Sequence, residues 1–118
     1  MISWMVTMTV PEFEELVRNA LDGIPADLGA AMENVAVVVD DESPPGRLLG
    51  LYQGIPLTRR GSNYSASMPD RITIYMATIC RACQTRQEVV DLVRKTVIHE
   101  VGHHFGIDDD RLKELGWA

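Results

Sequence analysis

An α+β domain is what this sequence predicts, on three observations. Two amphipathic stretches with helical spacing flank a set of short β-branched runs, Gly, Pro and Asp clusters separate those runs, and the 118 residues are the size of one domain. At 46% hydrophobic and 24% charged residues the chain has the balance of a folded globular protein and is too apolar to stay disordered.

The first helix is read in "PEFEELVRNALDGIP", where Phe13, Leu16, Val17, Ala20 and Leu21 fall on one face between an opening Pro11 and a closing Gly23 and Pro25. "NVAVVVDDE" reads as a buried strand, stopped by the Pro-rich "DESPPG". "RLLGLYQG" and "RITIYMATI" read as two more strands, the second alternating Ile72, Ile74 and Met76 onto one face, with a long Gly/Ser/Asn-rich loop over residues 54–70 between them. From Thr85 to Phe105 a central helix is expected. Thr85 and Glu88 form a capping-box pattern, Val90, Val93, Val97 and Val101 make an apolar stripe, and Gly106 supplies the stop. "DDDRLKELGW" then offers aspartate caps for a short last helix.

A net charge of −6 would repel a phosphate backbone, and the basic pairs Arg59–Arg60 and Arg94–Lys95 have no interleaved aromatics, so no nucleic-acid partner is expected. The opening "MISWMVTMTV" lacks a basic leader and reaches Glu12 too soon for a signal peptide or a membrane span. No membrane association and a cytoplasmic location are expected. Residues 1–10 read as a tail or start-site extension to a single domain over 11–118.

The densest chemistry lies in "VIHEVGHHFGIDD", residues 97–109. On a helix, His99 and His103 share a face and can offer two nitrogens to one metal ion. Glu100 sits one step round, placed to take a proton from a metal-activated water rather than to ligate. A helical wheel puts Glu100 on the flank of the valine stripe, and a carboxylate brought that close to a core needs a compensating partner. Two histidines alone hold zinc poorly, and Gly106 lets the chain turn back, so Asp109 is the natural third ligand. Asp108, Asp109 and Asp110 all suit an N-cap, however, and capping and ligation could be exchanged among them.

The spacing of His99, Glu100, His103, Gly106 and Asp109 resembles the HExxHxxGxxD form of the zincin signature, with Asp where His is more common. "DRITIY", "TVIHEVGHHFGIDDDRL" and "ELGW" are similar to a family of small bacterial zincin-like metallopeptidases, from about residue 11 onward. That resemblance implies a minimal zincin-like fold, a small mixed sheet packed on a central active-site helix with an N-terminal and a short C-terminal helix. It implies His99, His103 and Asp109 as metal ligands and Glu100 as general base of a zinc-dependent peptide or amide hydrolase. It also implies that the strand "RITIYMATI" presents an edge to an extended peptide or protein substrate. One Zn²⁺ per chain is the expected cofactor, with another divalent ion open because an Asp ligand hardens the donor set. No methionine follows Asp109 to form the turn found beneath the metal in metzincins. The alternative is a metal-stabilised binding or regulatory domain without catalysis.

Several residues are read more plainly. His104 falls outside the ligand pattern and is expected at the surface or as a support, Trp117 as an anchor for the last helix, and Tyr64 and Tyr75 outside the site. Cys80 and Cys83 have CxxC spacing without a second pair and are expected to be reduced thiols.

Overall fold

The computed structural model describes residues 6–24, 35–42, 48–54 and 70–114. In chain order these form α1 (Val10–Asp22), β1 (Val35–Asp40), β2 (Gly50–Gln53), β3 (Asp70–Tyr75), α2 (Met76–Arg81), α3 (Arg86–His104) and α4 (Asp109–Glu114). The architecture is α+β, a three-stranded mixed sheet packed on the long α3, with α1 also packed against that helix. Residues 1–5 of the expected tail, the loop at 55–69, Tyr64 and Trp117 lie outside the described residues.

Helix α1 starts where Thr9 accepts a hydrogen bond from the Glu12 N–H, and its buried face is Phe13, Val17 and Ala20. Ahead of it, Val6 and Met8 pack on the core, and the Val6 N–H donates to the Cys80 carbonyl at 3.3 Å. An exposed Arg86–Glu12 pair at 3.1 Å joins the starts of α3 and α1.

The sheet order is β1-β3-β2, with β3 parallel to β1 and antiparallel to β2. This corrects the expectation that "RITIYMATI" offers a free edge. Both margins of β3 are occupied by ladder partners, and of its residues only Arg71 is exposed. Its length is corrected too, because the chain leaves the sheet at Tyr75 and Met76 begins α2 instead of continuing an alternating face. Local β propensity is outweighed here by packing: coiled as a helix, α2 buries Thr78, Ile79 and Cys80 together, and the Ala77 N–H finds the Asp41 carbonyl at 2.8 Å.

Helix α3 begins as the capping pattern predicts, with the Glu88 N–H bonded to the Thr85 hydroxyl at 3.1 Å and the Glu88 carboxylate reaching back to the Gln84 N–H. Its core stripe is Val89, Val93, Val97 and Val101, none more than 1% exposed. Val89 therefore takes the place expected for Val90, since a straight four-residue repeat faces the core. With Phe13, Ile72, Ile74 and Ile79 these valines make the centre of the molecule.

Glycine at position 50 lets β2 lie directly against α3. A Cβ there would meet Thr96 Cγ2 at 2.8 Å, Glu100 Cγ at 3.1 Å and the Thr73 carbonyl at 3.2 Å. Gly50→Ala is accordingly expected to cost about 1–3 kcal/mol by overpacking. Gly23→Ala, where the nearest atom is a carbonyl at 3.4 Å and φ is −79°, should change stability by less than about 1 kcal/mol. Thermal melts of the two variants side by side check this, and equal losses would mean that the strand and helix are not in close contact at Gly50.

Candidate metal centre

The last two turns of α3 carry His99, Glu100 and His103, and the way the helix ends determines what faces them. Gly106 has φ of 80°, a left-handed conformation that costs a residue with a Cβ roughly 1–2 kcal/mol. Through it the Gly106 N–H bonds the His103 carbonyl and the Ile107 N–H bonds the Gly102 carbonyl, both at 2.9 Å, which is a Schellman stop. The chain then folds back into α4, where Asp108 Oδ1 accepts from the Arg111 N–H at 2.9 Å and so acts as the cap. Leu112, fully buried, lands on Gly102, where a Cβ would stand 2.5 Å from its Cδ2.

Among the three aspartates the roles thus separate: Asp108 caps α4, and Asp109 is turned toward the histidines. Asp109 Oδ1 lies 3.2 Å from His99 Nε2 and 3.4 Å from His103 Nε2, and the two imidazole nitrogens are 3.1 Å apart. The rings meet edge to face with centroids 4.6 Å apart. A tetrahedral zinc ion with bonds near 2.0–2.1 Å separates neighbouring donor atoms by about 3.3 Å. The spacing and the mixed N and O character of these donors therefore fit one face of such a tetrahedron. His99, Glu100 and His103 also offer donor atoms within 4.8 Å of one another, so the cluster could hold a metal ion.

Glu100 is 8% exposed and lies where the wheel placed it, against the core. Burial raises its pKa above the ordinary carboxylate range. Opposing this are the neighbouring His103 and His99 and a hydrogen bond from the Tyr52 backbone N–H, while Asp109 adds a smaller upward push.

Behind this cluster is a buried polar group that the sequence reading missed. His104, expected at the surface or as a simple support, is 0% exposed, and its Nδ1 lies 2.8 Å from Asp70 Oδ2. The Tyr52 hydroxyl donates to the same oxygen at 2.7 Å. With Asp70 ionised, the Nδ1–H form of His104 completes the pair, and its Nε2 has no hydrogen-bond partner among the described residues. These bonds tie the end of α3 to the first residue of β3 and to β2, the strand whose Tyr52 N–H meets Glu100. The sequence held one signal for it, a histidine just past a ligand-like pair, but the other members stand far back along the chain, in β3 and β2.

Cys80 and Cys83 are buried, unbonded to each other and part of the core, and burial raises both thiol pKa values. Tyr75, 5% exposed at the end of β3, is a core residue. Among the described residues no helix is long and apolar enough to cross a membrane.

A helix bearing HExxH, closed by a glycine reversal that returns a carboxylate to the two histidines and backed by a mixed sheet, defines a zincin-type domain. Residues 32–117 match the family model described as zincin-like metallopeptidase, and the chain belongs to that family. No curated protein matches. Among solved structures, the chain is similar to a conserved hypothetical protein from Thermo thermophilus, at 24% identity and a TM-score of 0.57, over 92% of this chain and 97% of that one. That likeness bears on the fold.

The position of Glu100 has a measurable consequence in the metal-free protein. Since folding raises its proton affinity, its ionised form opposes folding once the pH exceeds the unfolded carboxylate value, and the penalty disappears as the pH falls below it. Glu100→Gln should raise the melting temperature of chelator-treated protein at pH 7, by an amount that shrinks toward pH 4. A gain that is the same at both pH values would show that the carboxylate is not held against desolvation.

Proposed function

We propose that the protein is a zinc-dependent peptidase or amide hydrolase in which His99, His103 and Asp109 hold the ion and Glu100 is the general base. The single observation that carries this reading is the convergence of Asp109 Oδ1 on both imidazole Nε2 atoms while Asp108 is engaged as the helix cap. When bound, the ion supplies Lewis acidity toward a carbonyl and toward water.

The chain's own residues supply the rest. Glu100, adjacent in sequence to His99 but directed to the sheet side, accepts a proton from the attacking water and can return it to the leaving amine. The Tyr52 N–H orients the carboxylate, and the bonds from Tyr52 and His104 to Asp70 keep β2 at the height that orientation needs. A peptide substrate would lie alongside β2, the outer strand of the described sheet on this side, rather than along β3.

Metal analysis and a peptide-library assay test the assignment together. Wild-type protein should carry about one zinc per chain and His103→Ala none. Asp109→Ala should lose at least tenfold in metal affinity, whereas Asp108→Ala should keep the metal and lose only about 1 kcal/mol of stability, the worth of a cap. Glu100→Gln should retain the metal with hydrolysis reduced at least a hundredfold. Turnover that survives in Glu100→Gln would remove the base assignment. Metal that raises the melting temperature with no cleavage of any peptide would instead support a metal-stabilised binding domain, a role consistent with Asp109 bridging α3 and α4.

A further inference from the structure

A groove of about 420 Å³ opens beside the candidate metal centre, and of its lining the HExxH motif accounts only for His99 and Glu100. One side is a single face of α3, where Leu92, Lys95, Thr96 and His99 follow the i, i+3, i+4, i+7 pattern. The other side is the chain entering β2, where Gly50 packs directly on Thr96 and Glu100 and Leu48 and Leu49 supply apolar surface. Leu48 is 40% exposed, one of two exposed large hydrophobic side chains among the described residues. Glu100 closes the end nearest the histidines.

Among the described residues Lys95 is the cation of this lining, in a chain whose net charge is −6. Arg18, Arg81, Arg86 and Arg111 each pair with an acid of the same chain. Lys95, like Arg71, Arg94 and Lys113, makes no ion pair among the described residues, and of these four it is the one that lines the groove, one turn before His99 and about 6 Å along the helix axis. An extended peptide advances about 3.3–3.6 Å per residue, so an anion at Lys95 lies one to two residues from a bond held at the histidines.

Resting on the peptidase reading for its role in catalysis, we infer that this groove binds the C-terminal residue of a short peptide: its apolar side chain lies between Leu48, Leu49 and Leu92, and its free carboxylate meets Lys95. A carboxylate on the neighbouring side chain fits less well. Successive side chains of an extended peptide point to opposite sides, so with the apolar side chain in the groove the next side chain faces away from Lys95. A terminal carboxylate belongs to the same residue as the apolar side chain and reaches both features at once. The site thus selects for the end of a chain, and the reaction it serves is removal of a terminal apolar residue or cleavage of a small peptide or acylamino acid.

Binding, read by NMR chemical-shift titration, tests this without turnover. The probes are N-acetyl-leucine, N-acetyl-leucine amide, N-acetyl-glycine and the amidated peptide acetyl-Leu-Glu-NH₂. They are titrated onto wild type, Lys95→Met and Lys95→Arg, with metal content measured for each. N-acetyl-leucine should bind wild type at least tenfold more tightly than its amide and than N-acetyl-glycine, with shifts at Leu92, Lys95 and Thr96. Lys95→Met should erase the preference for acid over amide at unchanged metal content, and Lys95→Arg should keep most of it. The inference is overturned if acid and amide bind alike, if the glycine probe matches the leucine probe, if acetyl-Leu-Glu-NH₂ binds as well as N-acetyl-leucine, or if the acid preference survives in Lys95→Met, which would place the carboxylate at the histidines. Because binding is scored independently of cleavage, a protein that hydrolyses nothing can still show the groove's selectivity, and an active enzyme can still fail to show it.

Discussion

The left-handed turn at Gly106 is the constraint on which the candidate metal centre depends. A helix presents its side chains outward from one axis, and no single face of α3 could surround an ion. A donor must come from outside the helix and approach the histidines from beyond its end. The Schellman hydrogen bonds use the carbonyls of Gly102 and His103 to stop the helix, and the positive φ of Gly106 reverses the chain within two residues. Asp109 then arrives opposite His99 and His103. The same reversal seats Leu112 on Gly102, so the absence of a side chain at one position of the motif is what allows the returning segment to lie close.

The second requirement is to keep a carboxylate near the core in a usable state. Glu100 meets a backbone N–H of β2 and lies close to the imidazoles of His99 and His103, while the core beneath it is four valines of the same helix. The adjoining Tyr52–Asp70–His104 group is centred on two buried side chains, joined through one Asp70 oxygen by contacts of 2.7 and 2.8 Å. It crosses three elements at the point where they meet. A sliding of β2 along α3 would break the Tyr52 bond to a buried carboxylate, at a cost of about 1.5–3 kcal/mol. The position of Tyr52, and with it the orientation of Glu100, is thereby fixed from behind.

The features legible in the sequence were those set by local chemistry. The capping box at Thr85 and Glu88, the apolar repeat of α3, the glycine stop and the flank position of Glu100 all follow from periodicities within one helix. Strand order did not follow, because the runs at 35–40, 50–53 and 70–75 carry similar β-forming residues and nothing local says which lies between the others. The helix at Met76–Arg81 was hidden by a sequence that favours strand, and only the burial of Ile79 and Cys80 decides it. The choice between Asp108 and Asp109 was hidden for a different reason. Three identical side chains compete for one cap, and the phase of α4 relative to α3 selects the winner. The groove and the His104 network both require β2 to lie on α3, a non-local contact licensed by Gly50 that reads in sequence only as a glycine within a strand.

Among the described residues helix α4 spans six, whereas an isolated helix becomes marginally stable in water only at roughly 12–15. Among the described residues it buries a single side chain, Leu112. The described part of this element has little cohesion of its own and is held in place by tertiary contact, that of Leu112 with Gly102 foremost. Were it to detach, the carboxylate it carries would depart with it. The lifetime of the proposed three-donor set is thereby coupled to local detachment of α4, and the grip of Leu112 on Gly102 enters its tempo.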